Sequence, residues 1–186
     1  MQSVMAALPD HSLTVDEFLV WSEATPGRFE LLDGCVYEMR SERAIHADTK
    51  FAVQRALADA IDKAGVPCRA MPDGMTVRIN ARTAFEPDAL VYCGPRLPPD
   101  VLEVREPVIV VQVLSPPTQG NDFSAKLEGY FLVPSISHYL IVAPEKRLFI
   151  HHARQPDGKI LTQLVRSGTI SMSPPGIDFS VDGLLD

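Results

Sequence analysis

Three residues of complementary type, an acid, an amide and an amine, stand where strand ends and a following helix could bring them together. Asp88 closes the triplet Glu86-Pro87-Asp88, Gln112 lies in the apolar run Val108-Ile109-Val110-Val111-Gln112-Val113-Leu114-Ser115, and Lys126 comes fourteen positions later. Asp88 entering one strand and Gln112 near the end of the next can converge on a single cation. Magnesium takes oxygen ligands in octahedral geometry and keeps several waters, so one carboxylate, one further oxygen and a peptide carbonyl suffice when a substrate phosphate joins them. A lysine beside that ion can hold a water and neutralise charge growing on the phosphorus centre. Lys126 is too far along the chain to share the strand of Gln112 and must return from the next helix. The chemistry outlined is metal-assisted hydrolysis of a phosphodiester.

Gln112 is the unusual member. A carboxylate is the expected partner for Asp88, and an amide keeps a coordinating oxygen while giving up one negative charge, which weakens the hold on a hard cation. An amide inside so apolar a strand must also find hydrogen-bond partners, which calls for a polar cleft. Taken singly, Asp88 suits a strand-entry turn and Lys126 a solvated surface. Both side chains are expected at the rim of a cleft, where replacement by alanine leaves the fold intact.

The elements needed to position these groups are legible in turn. Thr14 to Glu17 fits a capping box, and Val15, Phe18 and Leu19 give the short helix behind it an apolar face that ends before Pro26-Gly27. Phe29–Leu32 and Cys35–Met39 flank Asp33-Gly34, a dipeptide suited to the positive φ angles of a tight hairpin. From Ile45 to Ala64, Val53, Leu57, Ala60, Ile61 and Ala64 recur at helical spacing before Gly65 and Pro67 stop the pattern. Strands are expected at Cys68–Met71 and Met75–Ile79, joined through Pro72-Asp73-Gly74, and at Pro87–Tyr92 and Pro107–Leu114. Asn121 or Asp122 can cap a helix carrying Lys126, Leu127, Tyr130 and Phe131, ended by Pro134. His138–Val142, Leu148–Ala153, Ile160–Val165 and Thr169–Met172 complete the strands. Residues 1–12 read as a flexible tail and 13–186 as one α+β domain.

Composition narrows the possibilities. The chain has 186 residues, 46% hydrophobic and 22% charged, enough to bury a core in one domain. Its apolar runs are far shorter than the roughly 20 residues that cross a bilayer, and Met1–Ser12 has no signal-peptide pattern, so a cytoplasmic protein without membrane contact is expected. A net charge of −7 repels a nucleic-acid backbone overall, which confines any DNA contact to a local or weak one. Arg69, Arg78, Arg82, Lys126, Lys146, Arg147, Arg154 and Arg166 are the basic residues that could form a local patch, although scattered solvated charges describe most of them better. Cys35, Cys68 and Cys93 are odd in number and widely spaced, which favours buried free thiols over zinc or redox chemistry. His151 and His152 are neighbours on a strand and point to opposite faces, so they cannot chelate one ion, and one of them is expected to face solvent. His46, near the start of the long helix, suits a base, a phosphate contact or a structural hydrogen bond. Ser115 lacks the setting of a nucleophile, and no phosphate-cradling glycine loop is present.

With these residues in view, the chain resembles the Uma family of restriction-endonuclease-like proteins, of the DUF820 type, within the PD-(D/E)XK nuclease superfamily. The likeness runs from about Leu13 to Pro144. It rests on Thr14-Val15-Asp16-Glu17-Phe18-Leu19, Phe29-Glu30-Leu31-Leu32-Asp33-Gly34, His46, Pro87-Asp88, Val111 to Thr118, and Asp122 with Lys126 and Tyr130. The resemblance implies a mixed β-sheet flanked by helices, with an N-terminal β-hairpin, a divalent-metal site for Mg2+ or Mn2+, and a homodimer. It assigns Asp88 as the metal-binding aspartate, Lys126 as a relocated catalytic lysine and Glu30 as an acid beside the same cleft, with the Val113 carbonyl assisting the metal. Gln112 stands where the family has glutamate, a change that resembles a variant found among active members of the superfamily. Pro116-Pro117 replaces a serine-rich turn, and Leu140 and Ala143 stand where tryptophan and aspartate are common, differences that concern packing.

Three functions follow as expectations. The first is a metal-dependent DNA endonuclease in which Asp88, Gln112 and Glu30 position the ion and Lys126 supports the attacking water. The second is a catalytically inactive descendant of that fold that binds nucleic acid or protein. The third is a dimeric interaction protein in which the polar cluster only supports the fold.

Overall fold

A computed structural model of the chain describes residues 8–114 and 121–185, with 121–123 described by their backbone alone. The first helix, α1 (Val15–Ala24), begins as its sequence dictates. The Thr14 hydroxyl accepts from the Glu17 N–H at 3.3 Å, and the Glu17 carboxylate accepts from the Thr14 N–H at 2.8 Å. Strands β1 (Phe29–Leu32) and β2 (Cys35–Glu38) form the expected hairpin, with Asp33 and Gly34 at φ values of 50° and 80° in the turn. Helix α2 (Ala44–Ala64) buries His46, Thr49, Lys50, Val53, Leu57, Ala60 and Ile61 along one face, and Gly65 ends it in the left-handed conformation.

Four strands follow: β3 (Cys68–Pro72), β4 (Val77–Asn80), β5 (Thr83–Phe85) and β6 (Ala89–Cys93). Then come β7 (Pro107–Val113), α3 (Asn121–Leu132), β8 (His138–Ala143), a 3-10 turn at Pro144–Lys146, β9 (Leu148–Arg154), β10 (Ile160–Val165), β11 (Thr169–Met172) and β12 (Ile177–Ser180). The main sheet has the order β10-β9-β8-β7-β6-β3. It is mixed, because β7 and β8 run parallel while their neighbours are antiparallel. The N-terminal hairpin extends into a second sheet of order β2-β1-β5-β4, and β11 pairs with β12. This is an open α+β fold, a mixed sheet flanked by helices.

Alternation in the central strands divides the core. Val53, Leu57 and Ile61 of α2 pack with Val91, Val111, Val113, Leu140 and Val142, joined by Ile177 and Phe179 of β12. Leu90, Val110, Tyr139 and Ile141 face the other way, toward Tyr130, Val133, Val77 and Phe85. Both faces of β7 are therefore covered, as its apolar run requires.

Some local features depart from expectation. β5 carries no sequence signal, because three residues are too few for period-two alternation. The turn Pro72-Asp73-Gly74 joins strands of different sheets, with β3 paired to β6 and β4 to β5. The expectation of buried free thiols is wrong: sheet register sets Cys68 opposite Cys93 and the two form a disulfide, while free Cys35 is exposed. Cysteines 25 residues apart are paired by register, which spacing does not encode. Nor does either β9 histidine face solvent. His151 and His152 are both buried, because side chains of the flanking strands cover them, His138 against His151 and Tyr139 and Thr162 against His152.

His151 Nε2 lies 3.0 Å from Nδ1 of His138, which is also buried. One ring must donate and the other accept, so the two cannot both be protonated, and burial favours the neutral form of each. Burial and the neighbouring His151 pull the pKa of His138 down to about 4. In the unfolded chain it returns to an ordinary histidine value near 6.5. The resulting stability is fully present above pH 6.5 and is lost as the pH falls towards 4, amounting to roughly 3 kcal/mol. Urea denaturation from pH 8 to pH 4 should show this decline, and His138→Gln should flatten it.

Candidate active site

Asp88 stands at the entrance to β6, where its N–H donates to the Val111 carbonyl at 2.9 Å and fixes it opposite the end of β7. Its Oδ2 accepts from the Val113 N–H at 2.6 Å and from the Gln112 side-chain amide at 2.9 Å. Gln112 Oε1 faces the Lys126 ammonium at 3.4 Å, and Lys126 Nζ lies 2.8 Å from Glu30 Oε1. Glu30 Oε1 also accepts from the Glu86 N–H at 2.9 Å. One polar chain thus links Asp88, Gln112, Lys126 and Glu30, drawn from the start of β6, from β7, from α3 and from β1. Val113 meets Asp88 through its N–H.

The amide of Gln112 has the polar surroundings that its apolar strand demands. Its NH2 group meets a carboxylate and its carbonyl oxygen meets an ammonium, the favourable sense for both halves. Asp88 is 2% exposed and Lys126 is 4% exposed. These are buried side chains, contrary to the expectation of a cleft rim, because α2, α3 and the second sheet close over this end of the main sheet.

Sequence reasoning missed a second lysine. Lys50 of α2 places its ammonium 2.6 Å from Asp88 Oδ1, also contacts Glu42, and lies 3.3 Å from Asp73 Oδ2. Arg28 extends the network, binding Asp73 at 2.9 Å and Glu86 through its Nε at 2.9 Å. Gln54 donates to the Asp88 carbonyl at 2.9 Å. A signal for Lys50 was present: it falls on the apolar stripe of α2, seven positions before Leu57, where a lysine is out of place unless it is paired. Burial pushes the Asp88 carboxyl above its usual range, with Lys50 and the Val113 N–H pulling the other way. Burial opposes the charge on Lys50 as well, but Asp88 and Glu42 more than offset it and hold its pKa raised.

Phe85 supports Lys126 from below, with the ammonium 5.5 Å from the ring centre. Gly129, one turn along α3, lets the helix approach: a Cβ there would lie 2.8 Å from Phe85 Cε2. Gly129→Ala should therefore destabilise the protein by about 1–2 kcal/mol despite alanine's better helix propensity. Thermal melting checks this, and a gain in stability would show that the contact relaxes freely.

His46 donates from Nε2 to the Leu114 carbonyl at 2.8 Å, anchoring the end of β7, and its Nδ1 has no hydrogen-bond partner among the described residues. The basic residues do not form one patch. Arg78 pairs with Glu103 and Asp16, and Arg154 donates to the carbonyls of Phe131, Val133 and Ile136. Lys146, Arg147 and Arg166 gather at a separate pocket with Phe149, Val181 and Leu185. Ser115, Pro116-Pro117 and Thr118 lie outside the described residues, as do the side chains of Asn121 and Asp122.

Glu30, Glu42, Asp73, Glu86 and Asp88 face Arg28, Lys50 and Lys126, which leaves a formal charge of −2 in the cluster. Among the described residues, no group of three histidine, cysteine, aspartate or glutamate side chains is arranged as a metal site. The donors are nonetheless hard oxygens, and the charge balance suits a divalent cation held by one or two carboxylates and the Gln112 carbonyl with water completing its shell. By type and charge these are donors for a hard divalent cation.

An open mixed sheet with helices on its faces is the restriction-endonuclease-like fold. A solved structure from Anabaena variabilis, described as a "putative nuclease belonging to DUF820", shares the fold with a TM-score of 0.72 at 14% identity, over 93% of this chain and 97% of that one. The model of the Uma2 family, described as "Putative restriction endonuclease", matches residues 15–182, and the chain belongs to that family. An uncharacterized Synechocystis protein is 25% identical over 176 residues, covering 94% of this chain and 92% of the relative. No helix among the described residues is long and apolar enough to cross a membrane.

Proposed function

We propose that this protein is a magnesium- or manganese-dependent hydrolase of DNA phosphodiesters. The observation that carries the reading is the polar chain Asp88–Gln112–Lys126–Glu30, assembled from four separate elements at one end of the main sheet. A purely structural cluster would not need an ammonium, an amide and two carboxylates in a place that apolar residues could fill at less cost.

Asp88, Gln112 and Glu30 would hold the ion, with Val113 adjoining. Once bound, a divalent cation supplies Lewis-acid stabilisation and an acidified water. The Val113 N–H and the Gln112 amide fix the orientation of the Asp88 carboxylate. Glu30 holds the Lys126 ammonium in place, where it can donate to a phosphate oxygen or orient the incoming water as negative charge grows. Arg28, partly exposed where the network meets solvent, offers a cation on the approach side. The net charge of −7 makes DNA contact local and strongly salt-sensitive. We propose a homodimer as the working unit.

A second reading has its own observation. Neutral Gln112, together with the Lys50 ammonium on Asp88, gives a site that is internally satisfied, as suits a nuclease fold that binds nucleic acid or protein without cutting. Supercoiled plasmid incubated with Mg2+ or Mn2+ separates the two. The first reading expects nicking by the wild type, lost in Asp88→Asn and Lys126→Met prepared identically. DNA retention without nicking under either metal supports the second.

A further inference from the structure

The reading as a metal-dependent hydrolase leaves Lys50 without a task. Its ammonium lies 2.6 Å from Asp88 Oδ1, the oxygen that Gln112 and Val113 do not use. A divalent ion drawn to Asp88 needs that same oxygen, because Oδ2 already accepts two N–H groups. An ammonium and a dication sharing one carboxylate oxygen would lie within about 4 Å of each other in a buried site, where repulsion is screened poorly. Lys50 has other acceptors within reach. The same Nζ contacts Glu42 and lies 3.3 Å from Asp73, and both of those carboxylates are 30% exposed while Asp88 is almost fully buried. Lys50 is thus poised between one inner acceptor and two outer ones, and a small rotation of its side chain moves it between them while it stays paired.

We propose that Lys50 is a tethered cation guarding the metal position: it neutralises Asp88 when no divalent ion is present and passes to Glu42 and Asp73 when one binds. This rests on the reading of Asp88 as a metal ligand. The device keeps a buried carboxylate from ever being uncompensated, which is the costly state for an empty metal site. It also discriminates by charge. A monovalent ion offers Asp88 no more than the ammonium already does, whereas a dication does. Gln112 also lowers the pull on an incoming ion, since its amide withholds the negative charge a carboxylate would supply. Metal affinity in this chain is then set by a competition that ends at Glu42 and Asp73, and it can be altered without touching a ligand.

The test is calorimetric titration of the full-length protein with MnCl2, with thermal melting over the same concentrations as a second readout. Lys50→Gln removes the competing charge and should tighten manganese binding on the order of tenfold. Lys50→Arg keeps the charge and can grip Asp88 with two N–H groups, so it should weaken binding, and it remains informative should the glutamine variant fail to fold. Glu42→Gln removes an outer acceptor and should weaken binding in the wild type, by much less in the Lys50→Gln background. Equal manganese affinity in wild type, Lys50→Gln and Lys50→Arg, with binding still abolished by Asp88→Asn, would overturn the guard while leaving the metal reading in place. No manganese binding in either wild type or Lys50→Gln would overturn both.

Discussion

Gln112→Glu should lower the melting temperature of the metal-free protein by roughly 10 °C, and millimolar magnesium should restore it. The substitution keeps side-chain length but exchanges the N–H donor 2.9 Å from Asp88 Oδ2 for a second carboxylate. Two acids at that distance repel, and one must take up a proton or find a cation. Lys126, 3.4 Å from the Gln112 carbonyl oxygen, offsets part of the repulsion, which leaves a net cost of about 3 kcal/mol. A divalent ion removes that cost and gains a ligand charge, so metal affinity and plasmid nicking should both rise. Melting curves across a magnesium titration, run beside a nicking assay, check the two effects. A larger metal response without nicking indicates a decayed enzyme. An unchanged metal response places Gln112 outside any metal site.

Removing the inner carboxylate should have an effect of similar size on stability and a larger one on activity. Asp88→Ala strands the Val113 N–H and the Gln112 amide and takes the inner partner from Lys50, a loss of about 3–5 kcal/mol. Lys126→Ala leaves Glu30 without its buried cation and should cost a comparable amount. The fold therefore does not pass through these substitutions untouched, as it would if the side chains lay at a cleft rim. Asp88→Asn and Lys126→Met retain volume and are the better tests of activity. Each should abolish metal-dependent nicking, and the double variant should be no worse than either single one, because both groups serve one transition state. Urea denaturation supplies the stability of all four variants. Full activity in a purified single variant would remove that residue from the site.

Local chemistry was the part of the fold most legible in the sequence. The capping box at Thr14 and Glu17, the positive φ angles at Asp33-Gly34 and the apolar stripe of α2 each depend on neighbours a few positions away, and each stands where its pattern puts it. Asp88, Gln112 and Lys126 were legible as a group because strand ends and the next helix are brought together by this fold class. What escaped depends on register and on partners distant in sequence. Cys68 meets Cys93 only once β3 is aligned on β6. β5 exists because β1 and β4 offer it edges to pair with. Lys50 was passed over because its meaning lies in Asp88, Glu42 and Asp73, groups supplied by other parts of the chain. A charged residue on an otherwise apolar helical face was the available clue, and a partner had to be sought for it.

In the proposed hydrolase the oxygen end of this polar chain takes a divalent cation at Asp88. Anomalous diffraction from crystals soaked in manganese measures this most directly. A manganese peak should stand about 2.0–2.3 Å from the Asp88 carboxylate, with the Lys50 ammonium withdrawn toward Glu42 and Asp73. A map with no peak at Asp88 at millimolar manganese, and Lys50 still in contact with that carboxylate, would contradict this assignment.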